Sequence, residues 1–460
     1  MSDTIVVTSP YDGREVGRVP RHGPADVDRA VVAAAAALRD DPLPPWRRAD
    51  ILERGARGLA ERVEDFARTI ANEAAKPIKT ARLEVNRAVS TFTFAAVEAR
   101  RLTGEMVPMD AAEIGDGRLG FTLRLPVGVV GAISPFNFPL NLVAHKVAPA
   151  IAAGCPVVLK PASQTPLSAV ALARLLVDEC GLPGDYLQVV TGGGGEVGAA
   201  LVEHPDVAYV TFTGSSEVGW GIADKAARKR VSLELGNNSP VIVEADGDWD
   251  KAARTIATAG FSHAGQSCVS VQRIYVAAEV ADAFTATLAK LVDDLVVGDP
   301  LDEATDVSAL ISEGERDRVT AWIEEAVSQG ATVAAGGGTA DRGILRPTVL
   351  TGVTADMRVS RDEVFGPVVA VQAYDTLDEA LRLADDTRYG LQAGIFTASL
   401  ASALRAAREL HFGAVLVNEV PTWRADQMPY GGVRESGNTK EGPHWAVREM
   451  TEERLVVIQP

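Results

Sequence analysis

Between residues 157 and 235, short β-branched runs alternate with helix-length segments, and this cadence restricts the fold more than any single residue does. VVLK (157–160) precedes a predicted helix over 165–180, and YLQVV (186–190) precedes one over 195–203. YVTFT (209–213) precedes a helix over 216–228, and VSLEL (231–235) closes the series. Strands separated by whole helices cannot pair as hairpins, so they lie parallel in one sheet with helices on its faces. The predicted class is α/β, with a Rossmann-type doubly wound unit.

Apolar residues at three- and four-residue spacing predict helices over 25–39, 46–72 and 78–101, so the first hundred residues read as helical. GRLGFTLRLPVGVVGAIS then reads as strand. A second α/β set follows Gly236: PVIVEA, a helix over 248–260, RIYVAA, a helix over 280–295, TVLTGV and VVAVQAYD near 348–375, and GAVLVNEV (413–420). The final ERLVVIQP is a strand without a neighbour in sequence, matched either by the excursion around 105–126 or by another subunit. The expected division is a cofactor-binding domain over 1–104 and 127–235, a catalytic domain over 236–433, and a small bridging and oligomerisation element over 105–126 and 434–460.

Composition narrows the function. A net charge of −17 disfavours nucleic-acid partners. Three cysteines argue for a reducing, cytoplasmic setting, and no CxxC or HExxH pattern supports a metal site. No charged-then-apolar leader or membrane-length apolar run is present. An anionic substrate would need local cations, because the overall field repels it.

Cys268 sits in FSHAGQSCVSVQR, among Ala264, Gly265, Gln266 and Ser267 rather than among large apolar side chains. Small neighbours let a substrate carbon approach the sulfur. Glu234, in LELGNNSP thirty-four residues earlier, offers a carboxylate as a base for water. TGGGGEVG (191–198) spaces Gly192, Gly194 and Gly198 after a strand and into a helix, and FTGSSEVG (212–219) sets Gly214 and Ser215 at the next helix start. Both suit a phosphate, since free N–H groups and the helix dipole favour an anion there. Lys160 ends a strand in LKPAS (159–163), where its ammonium reaches ribose hydroxyls. Each of these also has an ordinary structural explanation as a core cysteine, a capped turn or a surface lysine.

Taken in order, SPFNFPL (134–140), LKPAS, FTGSSEVG, LELG (233–236), GQSC (265–268), EVFGPV (363–368) and MPYGG (428–432) resemble the NAD(P)-dependent aldehyde dehydrogenase superfamily over essentially the whole chain. The resemblance implies Cys268 as nucleophile, Asn137, which reads as starting a helix at FNFPLNLVAHK, as oxyanion donor with the Cys268 N–H, and Glu234 as the base that activates water. It implies cofactor contacts from Lys160, Glu363, Ser215 and Phe365, with Ser134, Phe136, Gly194, Gly198, Gly214 and Gly236 around them. Ser163 stands where NAD-preferring members often carry Glu, so NADP is expected to be tolerated. Asn237 departs from the usual LELGG, and an asparagine would be the best substitute for glycine if the turn required positive φ.

TWRADQMPYGGVRESG and FPLNLVAHK are most similar to the subgroup of phosphonoacetaldehyde, non-phosphorylating glyceraldehyde-3-phosphate and lactaldehyde dehydrogenases. This places Arg87, His145, Ser267 and Arg424 at substrate positions and implies a small polar or anionic aldehyde. Ser267 stands where phosphate-specific members carry arginine, which counts against tight phosphate binding. A CoA-acylating relative, or a catalytically silent structural one, is the alternative. The family's habit implies a homodimer or homotetramer.

Overall fold

The computed structural model describes residues 4–226 and 228–460. Five parallel strands form the first large sheet, in spatial order Leu187–Val189, Val157–Lys160, Val129–Ile133, Val207–Thr213, Arg230–Glu234. Numbered along the chain this is 3-2-1-4-5, so the strand order reverses between Val129–Ile133 and Val207–Thr213. A crevice opens at such a switch point, beyond the carboxyl ends of the strands.

Alternation along the strands explains the two helical layers. Val130, Ala132, Val157 and Leu159 face a core shared with helices Pro45–Glu61, Val63–Ala74, Ile78–Arg101 and Asn141–Ala153. Val129, Ile133, Val158 and Val210 face the other way, onto Pro24–Asp40 and Ala199–Glu203. The predicted helix over 216–228 is Ser216–Lys225, and residue 227 lies outside the described residues. The N-terminal stretch is not wholly helical: Thr4–Thr8 and Glu15–Pro20 pair as an antiparallel hairpin, whose alternation is short and interrupted by the polar turn at 10–14.

The second large sheet has seven strands, with Gln392–Phe396 and Ala414–Val417 beyond Pro240–Val243 at one side and Thr332–Ala335 at the other edge. Gln392–Phe396 is wholly buried, so it lacks the alternation that marks a half-exposed strand. ERLVVIQP finds its partner within the chain. Thr451–Ile458 pairs antiparallel with Leu119–Pro126, from Thr451 opposite Pro126 to Ile458 opposite Leu119. Just before it, residues 436–438 add to the edge of the first sheet: Leu235 N donates to Ser436 O at 3.0 Å and Asn438 N to Leu233 O at 3.2 Å. This crossing brings a segment of the C-terminal region against Glu234. Among the described residues, no helix is long and apolar enough to cross a membrane and no cluster of side chains could hold a metal ion.

The loop that leads from Ile133 into helix Asn141–Ala153 is held by a buried carboxylate. Glu84 Oε1 accepts from Leu140 N at 2.9 Å and Asn141 N at 3.1 Å, taking the place of a local cap. Its other oxygen pairs with Lys76, which is fully buried and stacks over the Phe138 ring. Removing one partner of such a pair strands a charge away from water. Glu84→Ala should therefore lower unfolding stability by about 3–5 kcal/mol. Lys76→Met with Glu84→Leu should recover much of that loss in denaturant unfolding.

Candidate active site

Cys268 lies in the loop between helix Trp249–Ala259 and strand Arg273–Ala277. The approach is tightly coiled: His263, Ala264 and Gly265 have φ of 50°, 54° and 70°. Gln266 fastens this coil, its Nε2 donating to His263 O at 3.2 Å and its Oε1 accepting from Ile311 N at 2.9 Å. The small residues flagged in the sequence thus build a turn that presents the sulfur. Cys268 keeps a partly exposed face, and all three cysteines are free thiols. Burial pushes the Cys268 thiol up to about 12, against the hydrogen bond from Tyr430 and the nearby Arg424 charge.

Asn137 does not start a helix. The helix begins at Asn141, and Asn137 lies in the preceding buried loop, where Nδ2 donates to Gln266 O at 2.9 Å. That bond ties the amide two residues from Cys268 and leaves its second hydrogen available. Among the described residues, no acceptor is found for the Cys268 N–H.

Glu234 ends the edge strand of the first sheet and meets the turn at 428–432. A Cβ on Gly431 would lie 2.0 Å from Thr439 O and 2.5 Å from Glu234 Oε1, so only glycine fits there. The adjacent Tyr430 places Oη 2.9 Å from Cys268 Sγ. One turn therefore touches both predicted groups. Glu234 is buried, and neither of its oxygens has a hydrogen-bond partner among the described residues. Burial first and the Glu441 carboxylate second push its carboxyl well above the ordinary range, opposed by Arg424, Lys146 and Lys440.

Around it lies a charge network that sequence reasoning largely missed. Lys146, one residue past His145, donates to Thr213 Oγ1 at 2.7 Å and sits 3.5 Å from Glu441 Oε1. Burial opposes ionisation of Glu441, but Lys146 and Arg424 outweigh it and hold the carboxyl at about 2. Arg424 is buried, bonds Glu441 Oε2 at 3.1 Å, and lies 3.7 Å above the Tyr430 ring. Its Nη2 also reaches the His145 ring, 3.1 Å from Nε2 and 3.3 Å from Nδ1. His145 Nε2 stands 3.0 Å from Asp426 Oδ1. Burial and the Arg424 charge lower the His145 pKa, which favours the neutral ring.

Arg87 stays 29% exposed and bonds Asp426 Oδ1 at 2.9 Å. The expected cluster of two guanidiniums and a histidine is present, but each guanidinium already has a carboxylate and the histidine carries no charge. Lys146 and Tyr430 lay inside the quoted motifs NLVAHK and MPYGG. Glu441 and Asp426 gave no local signal, since their meaning depends on which distant cations face them.

Of the expected cofactor residues, Lys160, Gly194 and Gly198 line the switch-point crevice. A cavity of about 540 Å³ is bounded by Ile133, Lys160, Gly194, Gly198, Phe212 and Lys225. Lys160 is buried, not solvent-facing; among the described residues its Nζ donates to Pro161 O alone, and burial lowers its pKa. Ser163 Oγ donates to Gly192 O at 2.9 Å, bracing the glycine loop. Ser215 is the N-cap of Ser216–Lys225 and its side chain caps nothing, while Gly214 N donates to Glu234 O at 3.1 Å.

A second cavity of about 680 Å³ shares Glu217 with the first and runs past Ser215 to Glu363. Glu363 Oε1 accepts from Asn237 N at 3.0 Å, and burial raises its carboxyl to about 7. A Cβ on Gly236 would fall 2.2 Å from Glu363 Oε2. Phe136 and Phe365 meet edge to face at 5.9 Å, and Ser134 Oγ is buried without a partner among the described residues. Ser267 and Phe365 share a narrow space beside Glu363. Asn237 does not adopt positive φ. Instead, its amide donates to Ser239 Oγ at 2.8 Å and Gln392 O at 3.1 Å, a clamp that glycine lacks.

The sequence pattern of the aldehyde dehydrogenase family matches residues 1–456. The 3-sulfolactaldehyde dehydrogenase of Priestia aryabhattai is 49% identical over 433 residues, 94% of this chain and 90% of that protein. The lactaldehyde dehydrogenase of Methanococcus aeolicus is 37% identical over 458 residues, 99% of this chain and 97% of that one. The crystal structure of a glyceraldehyde-3-phosphate dehydrogenase from Methanocaldococcus jannaschii, complexed with NADP, superposes with a TM-score of 0.95 at 37% identity, covering 99% of each chain. A pattern that runs nearly end to end, with relatives this similar over almost their whole length, means that the chain belongs to the aldehyde dehydrogenase family.

Proposed function

We propose that this protein oxidises a small polar or anionic aldehyde to its carboxylic acid with NADP or NAD, using Cys268 as nucleophile and Glu234 as the base for water. The observation that carries the reading is the convergence of Cys268 and Glu234 on the Tyr430–Gly431 turn. The switch-point crevice fits a dinucleotide. Lys160 and the uncapped start of Ser216–Lys225 offer donors for ribose and pyrophosphate, and Glu363 offers acceptors for the second ribose. When bound, the dinucleotide supplies the acceptor for the aldehyde hydride.

Once the Cys268 thiol has released its proton to water, the sulfur adds to the carbonyl carbon, and the carbonyl π electrons become an oxyanion. The Cys268 N–H and the second Asn137 amide hydrogen receive it, each donor contributing about 10²–10³-fold in rate. Loss of hydride leaves a thioester. Glu234 takes a proton from water, the hydroxide oxygen attacks the acyl carbon, and the carbon–sulfur bond breaks to return Cys268. Resolution by CoA would need no such base, and the buried, unbonded Glu234 carboxyl favours hydrolysis.

For the substrate, Arg87 is the better anion contact. Its remaining N–H groups are partly exposed, whereas Arg424 is enclosed by Glu441, His145 and Tyr430. The free edge of Thr451–Ile458, with Leu455, Val457 and Ile458 exposed, supports a homo-oligomer built on this sheet. Three free thiols suit a reducing, cytoplasmic setting.

Glu234→Gln should give a burst of reduced cofactor equal to the enzyme concentration, followed by turnover about 10²–10⁴-fold slower. Its wild-type carboxyl, raised by burial, stays protonated at low pH and becomes available as a base only as it ionises with rising pH. The wild-type hydrolytic rate should thus go on climbing through the pH range above that in which an exposed carboxylate ionises, and flatten in the variant. A wild-type rate independent of pH across that range would oppose the assignment.

Uncharged Ser163 leaves room for a 2′-phosphate. Ser163→Glu should lower kcat/KM for NADP by more than about tenfold while sparing NAD. A wild-type preference for NAD beyond about a hundredfold would refute this, since it equals about 2.7 kcal/mol. Arg87→Ala should raise KM for a sulfonated or carboxylated aldehyde by about 10–100-fold and leave propanal unchanged; equal losses on both would remove Arg87 from the pocket.

A further inference from the structure

Tyr430 is fixed from three sides in a way the chemistry above does not use. Its Oη lies 2.9 Å from Cys268 Sγ. Arg424 sits 3.7 Å above its ring and bonds Glu441. Its backbone N donates to Glu441 O at 3.1 Å, and Glu441 N donates back at 2.5 Å. The phenol is thus held on the sulfur by a closed loop of Arg424, Glu441 and Tyr430, none of which lies on the segment that carries the cysteine.

We propose that Tyr430 is a catalytic residue, whose hydroxyl donates a hydrogen bond to the Cys268 thiolate, and that Arg424 is a positioning residue that holds the phenol there. The proposal rests on Cys268 being the nucleophile. Ionising a thiol in this site is opposed by burial, and a neutral O–H directed at the sulfur is the nearest group that offsets it. The phenol keeps its proton, because burial and the neighbouring sulfur push its own ionisation well above the ordinary range. A cation over the ring face draws on its π electrons and makes the O–H a stronger donor. The donor bond has a second effect. A thiolate made tenfold more abundant by such a bond loses about threefold in intrinsic nucleophilicity, so the net gain below its pKa is about threefold.

The test is Tyr430→Phe, which keeps the ring under Arg424. Titration of Cys268 by thiolate ultraviolet absorbance, as the difference from Cys268→Ser, should show less thiolate than wild type at each alkaline pH. Alkylation of Cys268 by iodoacetamide, followed by intact mass, should slow about threefold or more at neutral pH. Arg424→Met should slow alkylation more in the wild-type background than it does once Tyr430→Phe is present, where only its direct charge effect on the sulfur remains. Unchanged cofactor binding by Tyr430→Phe shows that the variant is folded. An unmoved titration, or alkylation as fast as wild type, overturns the proposal. If enzyme alkylated at Cys268 still oxidises aldehydes, the nucleophile assignment falls instead, and the titration result separates the two failures.

Discussion

A carboxyl buried without a hydrogen bond, with Arg424, Lys146 and Glu441 around it, sets the conditions for everything else in this site. Among the described residues Glu234 has no donor to hold it ionised, and it is buried. Its charge state is decided by burial first and then by its neighbours: Glu441 also opposes ionisation, while Arg424, Lys146 and Lys440 favour it. A fully paired carboxylate would be a weak base, since a salt bridge lowers proton affinity. Assigning the tight pairing to Glu441 instead leaves Glu234 with proton affinity to use on water.

That division depends on backbone geometry as much as on charge. The chain returns at 436–438 to extend the first sheet beside Glu234, and the turn before it carries Tyr430 to the cysteine of the second sheet. Gly431 is the contact point, and any side chain there would strike Thr439 and Glu234 together. The two sheets are thus joined where Cys268 and Glu234 lie. On the proposed reading, nucleophile and base are placed by different domains but aligned by one turn.

Much of this was legible in the chain. The parallel order of the first sheet follows from strands spaced by helices, and GQSC and LELG marked the two groups that meet. Gln392–Phe396 was not legible, because a strand buried on both faces shows no alternation. The opening hairpin was too short to compete with the helical pattern after it. Asn137 read as a helix start because FNFPLNLVAHK is continuously apolar and polar by turns, whereas a carboxylate from another helix, Glu84, fixes where the helix begins. Arg87, His145 and Arg424 were placed in one neighbourhood, but their charges were not, since Asp426 and Glu441 lie hundreds of residues from some of the groups they neutralise. Periodicity reports which way a residue faces; it carries no record of what waits there.

The pairing of those charges bears on how an anionic aldehyde would be handled. Oxidation adds a carboxylate, so a substrate with one negative charge leaves with two. A pocket holding Arg87, Arg424, Lys146 and a charged histidine without counter-ions would bind that product more tightly than the substrate and hold back turnover. Here Asp426 accepts from Arg87 and Glu441 from Arg424, while burial keeps His145 neutral. What remains for the substrate is directional: the unspent N–H groups of one partly exposed guanidinium, able to orient an anionic tail without a strong local field. With the chain at −17 overall, the long-range potential then favours departure of the doubly charged acid over that of the singly charged aldehyde.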